Sequence, residues 1–332
     1  MPTTAVEIAS NQTVSASDPR RWVFLDTETT GLSGGTGTCP FLIGTGAIED
    51  SGFRTRLFFM RDFDEEPAML RALGEHLSGY DTVVSFNGKT FDLPLLEARF
   101  RLKRQPNPLQ EMEHFDVLHP ARRLWKKRLR SCRLTALEAS ILGFTRRGDI
   151  PGSLIPSRFF EYLNSREPSG LAPVFHHNRL DIVSLACISS VLLTCLSKPR
   201  QAPLRHGEDL FSLARWVGML KQDELAADLY GKAIHAGLPR RTLGDALWES
   251  AKHARRLGRH RAKVRMLGEM AQLSATRRPA AWVELAKHYE HLEKDFRKAL
   301  DLTRCAMRDE PSDELQHRQL RLVRKLEKAE GT

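Results

Sequence analysis

Cysteine is scarce in this 332-residue chain: Cys39, Cys132, Cys187, Cys195 and Cys305 are odd in number and widely scattered. No two form a C-x-x-C pair, so the pattern indicates neither a zinc site nor a disulfide framework, and a reducing cytoplasm is expected. Long apolar runs are also lacking. Stretches such as Val191-Leu192-Leu193 fall far short of the roughly 20 residues a membrane-spanning helix needs. The first twenty residues hold Glu7 and Asp18, are rich in Ser and Thr, and lack the apolar segment of a signal peptide. A soluble protein with a disordered leader over 1–20 and no membrane partner is the expectation. The glycine-rich stretch Ser33-Gly34-Gly35-Thr36-Gly37-Thr38 lacks a Gly-Lys-Ser/Thr ending, which excludes a nucleotide-binding P-loop.

What is present is an ordinary globular composition, 41% hydrophobic and 28% charged, in a chain long enough for two domains. Lys and Arg outnumber Asp and Glu by 51 to 41, a net +10. That surplus suits a polyanionic partner, because phosphates attract it and shed condensed counterions on binding.

Trp22-Val23-Phe24-Leu25 reads as a buried strand ending on Asp26-Thr27-Glu28. Further strands are expected at about 41–48, 53–60, 82–86 and 114–118, with helices at about 64–79 and 92–104 and mainly helix on to 198. This alternation indicates an α/β sheet with helices packed on it, over 21–198. Ser197–Pro203 reads as linker text, and the linker is set at 199–206. From 207 to 332 no strand candidate occurs. Trp282, Leu285, Ala286, Tyr289, Ala299 and Pro311 follow the tetratricopeptide pattern, and Trp248 lies 34 residues before Trp282. An unspecialised helical bundle is the alternative. Of the net charge, +7 lies in 204–332, densest at Arg255, Arg256, Arg259, Arg261, Lys263 and Arg265. That run is either a solvated helix face or a stripe that contacts phosphates.

Asp26 and Glu28, two apart on a strand, project from one face. Two carboxylates held together repel each other unless a cation lies between them. A bare D-x-E is more often an acidic loop mouth, but here the text runs on as Asp26-Thr27-Glu28-Thr29-Thr30-Gly31-Leu32. Two further strings stand out: Ser85-Phe86-Asn87-Gly88-Lys89-Thr90-Phe91-Asp92, and His177-Asn178-Arg179-Leu180-Asp181 at the start of a long apolar helix. Asp116 ends another strand and is read as a helix cap. Asp64-Glu65-Glu66 is read as an acidic first helical turn.

In this order, the three strings resemble the motifs of the DEDD superfamily of 3′–5′ exonucleases, a branch of the ribonuclease H-like fold. The glycine-rich segment after the first motif also resembles the YprB-type subgroup, which often continues into tetratricopeptide-like repeats. The implied fold is a ribonuclease H-like mixed sheet flanked by helices, followed by an all-α tetratricopeptide-like helical-repeat domain. The resemblance implies that Asp26, Glu28, Asp92 and Asp181 hold two Mg²⁺ or Mn²⁺ ions, since hard oxygen ligands suit these metals. It also implies in-line hydrolysis of single-stranded DNA or RNA to nucleoside 5′-monophosphates. Family members place a Tyr four residues before the last Asp, or a His five before it. This chain has His177 at four and His176 at five. Helical spacing puts His177 on the side of Asp181, so His177 is the favoured general base and His176 the competing one. An imidazole suits proton transfer near neutral pH. The alternative function is a catalytically weak nucleic-acid or protein adaptor acting through the helical repeats, against which the complete set of four acids argues. A protein partner on the repeats is compatible with either.

Overall fold

A computed structural model describes residues 5–10, 18–31, 37–273 and 277–330. The chain divides into two compact units, 1–198 and 199–332.

In the first unit, Trp22–Thr29 (β1), Pro40–Glu49 (β2), Gly52–Phe59 (β3), Thr82–Ser85 (β4) and Glu113–Asp116 (β5) build one sheet in the order β3-β2-β1-β4-β5. The β1-β2 and β2-β3 pairs are antiparallel; β1-β4 and β4-β5 are parallel. Parallel neighbours need crossover helices. Glu66–Leu77 (α2) links β3 to β4, and Asp92–Leu102 (α3) links β4 to β5. Leu118–Trp125 (α4), the short Leu134–Leu137 (α5) with a following wide turn at Glu138–Leu142, and Ile155–Ser165 (α6) then lead to the long helix Ala172–Ser197 (α7).

β1 sits in mid-sheet and is covered on both sides. Val23 and Leu25 enter the core with Leu70, Leu73 and Leu77 of α2 and Leu96 and Phe100 of α3. The alternate residues turn towards α7, which packs on β1, β2 and β3. Two glycines of β2 allow that approach. A Cβ on Gly44 would lie 1.9 Å from Asn178 Oδ1, and one on Gly46 would lie 2.5 Å from Ile182 Cγ2. Because Gly44 pairs with Asp26, the bare backbone there seats α7 directly over the first motif.

Two expectations are corrected. Within the leader read as disordered, Ala5–Ser10 is a helix (α1) with Ala9 buried, against α4 and α7. Its Ala-Val-Glu-Ile-Ala text is a short apolar stretch within Ser/Thr-rich surroundings. The remaining leader positions 1–4 and 11–17, like residues 32–36 of the glycine-rich stretch, lie outside the described residues. Short apolar runs also understated α7. The helical stretch Pro168–Ser197 reaches a mean hydropathy of 2.0 and is long and apolar enough to cross a membrane by length and composition. Core helices meet the same criterion, and this one lies on the sheet and carries Asn178 and Asp181.

Among its described residues the second unit is helical. Gly207–Met219 (α8), Asp223–His235 (α9), Arg240–Arg256 (α10), His260–Leu273 (α11), Arg278–His288 (α12), Phe296–Asp309 (α13) and Asp313–Glu330 (α14) follow one another. Each packs on the next. Buried alanines, including Ala214, Ala226, Ala251, Ala271, Ala281 and Ala299, let neighbouring helices close up. Glu290, fully buried, receives Arg318, Arg321 and Lys325 and thereby fastens α14. In the basic run, Arg256 pairs with Asp223, Arg259 with Glu224, and both Arg255 and Lys263 with Glu284. Four of the six side chains are thus paired within the unit, on three carboxylates, which favours the solvated face for those positions.

Candidate metal centre

The site is built at the C-terminal end of β1. Asp26 and Glu28 share the face under α7, while Thr27 on the opposite face donates to Asp92 Oδ1 at 2.5 Å. Asp92 is the first residue of α3, so a strand and a helix start are tied by one hydroxyl. The loop before it is held by Asp116, which accepts from the backbone N–H groups of Asn87 (2.9 Å), Lys89 (3.1 Å) and Leu118 (3.0 Å). Asp116 therefore caps the start of α4 and braces the second motif, as a backbone acceptor.

From α7 come Asn178, His177 and Asp181. Asn178 is fully buried and donates through Nδ2 to Asp26 Oδ2 at 2.8 Å. Its hydrogen bonding also favours the ionised form of Glu28. Ligand atoms of Glu28, His177 and Asp181 all lie within 4.8 Å of one another. His177 Nε2 is 3.4 Å from Asp181 Oδ2. His176, by contrast, is exposed and meets the Arg179 guanidinium at 3.4 Å. The structure thus brings Asp26, Glu28, Asp92, Asp181 and His177 together and leaves His176 outside the cluster.

Electrostatically the cluster is overfull of negative charge. Burial, then the charges of Asp181, Glu28 and Asp92, pushes the Asp26 carboxyl well above the usual carboxylate range. Burial and the Asp181 charge push Glu28 up to about 8, although the Asn178 hydrogen bond opposes them. Burial raises Asp92 to about 6 against the pull of Thr27. Asp181 is also raised, by burial, with Arg146 and His177 opposing. Carboxyls all pushed towards holding their protons are carboxylates short of a cation. Their hard oxygens, with one imidazole beside them, fit a divalent metal of the Mg²⁺ or Mn²⁺ type.

Three contributors were missed in the sequence: Glu138, Arg146 and Asp149. The Arg146 guanidinium, 6% exposed, reaches Glu138, Asp149 and Asp181. Asp149 meets His177 Nδ1 at 2.9 Å. These residues sit in and after the wide turn at Glu138–Leu142, where no periodicity marks them. A run of Arg-Arg-Gly-Asp in a loop carries no motif, and its only signal is an acid-base pair three apart.

Comparison with known proteins bears on the family of the chain. The model of the RNase H superfamily matches residues 23–193. Over 290 residues the chain is 31% identical to the Uncharacterized protein YprB of Bacillus subtilis (strain 168), covering 86% of this chain and 69% of that protein. Among solved structures, the family B DNA polymerase of the hyperthermophilic archaeon Pyrobaculum calidifontis aligns with a TM-score of 0.42 and 14% identity. That alignment covers 73% of this chain and 30% of the polymerase, so the chain spans under a third of its length. With its matched sheet, its strand-end carboxylates and the superfamily model spanning both, the chain belongs to the RNase H superfamily.

Proposed function

We propose that the protein is a metal-dependent 3′–5′ exonuclease acting on single-stranded DNA or RNA. The observation that carries this reading is the clustering of Asp26, Glu28, Asp92 and Asp181, from three separate stretches of sequence, around carboxyls whose pKa values are raised. In a superfamily whose members are generally nucleases, this is the charge pattern of a cation site. Asp26, Glu28, Asp92 and Asp181 would hold Mg²⁺ or Mn²⁺, two ions in all. Bound there, the ions would supply Lewis-acid stabilisation of charge on phosphoryl oxygens and of the attacking water.

The chain's own side chains do the rest. Asn178 turns the Asp26 carboxylate into the cluster, and Thr27 does the same for Asp92. His177, with Nε2 facing Asp181, accepts the proton of the attacking water. Cleavage would release nucleoside 5′-monophosphates. For the second unit we read the stacked helices as tetratricopeptide-like repeats, supported by the 34-residue spacing of Trp248 and Trp282 and by the small buried residues between helices. Such an array offers a surface to a protein partner. The five free thiols suit a reducing cytoplasm.

The test is incubation of 5′-labelled single strands, DNA and RNA separately, with Mn²⁺ and either wild-type protein or Asp26→Ala. A ladder shortening from the 3′ end that the variant cannot make is expected. Absence of cleavage of both polymers with Mg²⁺ and with Mn²⁺ refutes the nuclease reading.

A further inference from the structure

We infer that Asp149 is a positioning residue for His177: it fixes the imidazole in the Nδ1–H tautomer, so that Nε2 keeps a free lone pair facing Asp181 and Glu28. Arg146 holds Asp149 and Asp181 in the arrangement this requires. The inference deepens the nuclease reading above and rests on it for the use made of Nε2.

The geometry assigns the roles. Both oxygens of Asp149 lie 2.9 Å from His177 Nδ1. Arg146 Nη1 lies 3.4 Å from the same nitrogen. Nδ1 cannot donate to the carboxylate and accept from the guanidinium at once. The shorter contact wins, and Asp149 has no proton to give. Arg146 Nη1 has its acceptor already in Asp149 Oδ2, at 3.0 Å. In the neutral ring the proton is therefore on Nδ1, which leaves the other nitrogen bare. Nε2 is also the nitrogen nearest Asp181, at 3.4 Å.

The segment that carries these groups is fixed to the site from both ends. Arg146 takes Glu138 through both of its carboxylate oxygens, and Glu138 is 1% exposed. It takes Asp181 of α7 with the same Nη2. Glu138, Asp149 and Asp181 all meet on one guanidinium, 6% exposed. A single buried cation thus sets the spacing between the carboxylate that orients the imidazole and the carboxylate beside its working nitrogen. Helix α7 alone would leave the ring free to turn about its own bonds; Asp149 removes that freedom.

The experiment joins nitrogen NMR with kinetics on the full chain. Protein labelled with ¹⁵N in its histidine rings is measured with saturating Mg²⁺, the His177 signals being identified by their loss in His177→Gln. We expect a protonated Nδ1 and a bare Nε2 in the wild type. In Asp149→Ala, the ring is expected to become a mixture of tautomers. Its kcat falls by about 10²-fold, with KM within about threefold, on a labelled single strand. Asp149→Glu should recover part of kcat, which a loss of folding would not do. A proton found on Nε2 in the wild type overturns the inference by itself, whether or not any variant folds. Unchanged ring signals and kcat in a folded Asp149→Ala overturn it as well. A wild type that cleaves nothing refutes the nuclease reading instead, and the ring nitrogens still decide the tautomer.

Discussion

Replacing Gly44 by alanine tests the placement of the site with a single methyl group. The new Cβ would lie 1.9 Å from Asn178 Oδ1, 2.9 Å from Asn178 Cγ and 3.2 Å from Ile182 Cγ1. Ordinary contact begins at 3.4 Å, so Asn178 must retreat by about 1.5 Å. It cannot do so by turning its tip alone, because it is fully buried and donates to Asp26 at 2.8 Å. Either that hydrogen bond breaks or α7 lifts from β2, carrying His177 and Asp181 with it. Overpacking of this kind costs about 1–3 kcal/mol, and misplacing reacting groups by ~1 Å can lower a rate by about 10²-fold. Urea denaturation and Mn²⁺ binding by calorimetry measure the two consequences separately. We expect a stability loss in that range and at least roughly tenfold weaker metal binding. Gly31→Ala is the control, since among the described residues its Cβ would meet only Thr38 Oγ1, at 3.7 Å, and should leave both measurements unchanged. A Gly44→Ala protein with wild-type stability and wild-type metal affinity would refute the close seating of α7 over Asp26.

Burial works against the Glu290 charge, but Arg321 and Lys325 outweigh it and hold the carboxyl at about 2, below its usual 4.5. Its contribution to stability is therefore present above about pH 4.5 and lost as pH falls towards 2. Because Arg321 and Lys325 reach solvent, we expect about 2 kcal/mol from this source, seen as a weakened acid limb in Glu290→Gln thermal melts. Glu28 and Asp92 behave in the opposite sense. Their folded values of about 8 and about 6 lie above the ordinary range, so in EDTA the first unit should lose stability as pH rises from about 4.5 to 8. Mn²⁺ should restore it most at the alkaline end; equal metal stabilisation at pH 5.5 and 8 would contradict this. Arg146→Met leaves Glu138, Asp149 and Asp181 without their shared cation, and should destabilise the metal-free protein by about 3–5 kcal/mol. Part of that loss should return with Mn²⁺, as read by calorimetric melting.

Much of the sheet was readable because Trp22–Thr29, Pro40–Glu49 and Thr82–Ser85 are built on short apolar runs. Asp26 and Glu28 stood out because strand alternation places them on one face, and helix phase separated His177 from His176 relative to Asp181. Local periodicity carries such information. It carries none about Arg146 and Asp149, which lie in irregular chain and reach His177 across 31 and 28 residues of sequence. Gly44 was equally silent, since its meaning depends on what α7 brings over it. The basic run in α10 and α11 could be read either way for a related reason: its partners Asp223, Glu224 and Glu284 come from α9 and α12.

The central claim is that Asp26, Glu28, Asp92 and Asp181 form one divalent-metal centre. Titration of the protein with Mn²⁺, followed by the loss of the free-ion electron paramagnetic resonance signal, tests it without any assumption about substrate. Saturable binding by the wild type is predicted, abolished or weakened by about 10²-fold or more in Asp26→Asn and Asp181→Asn with circular dichroism unchanged. Equal Mn²⁺ binding by wild type and both variants would contradict it.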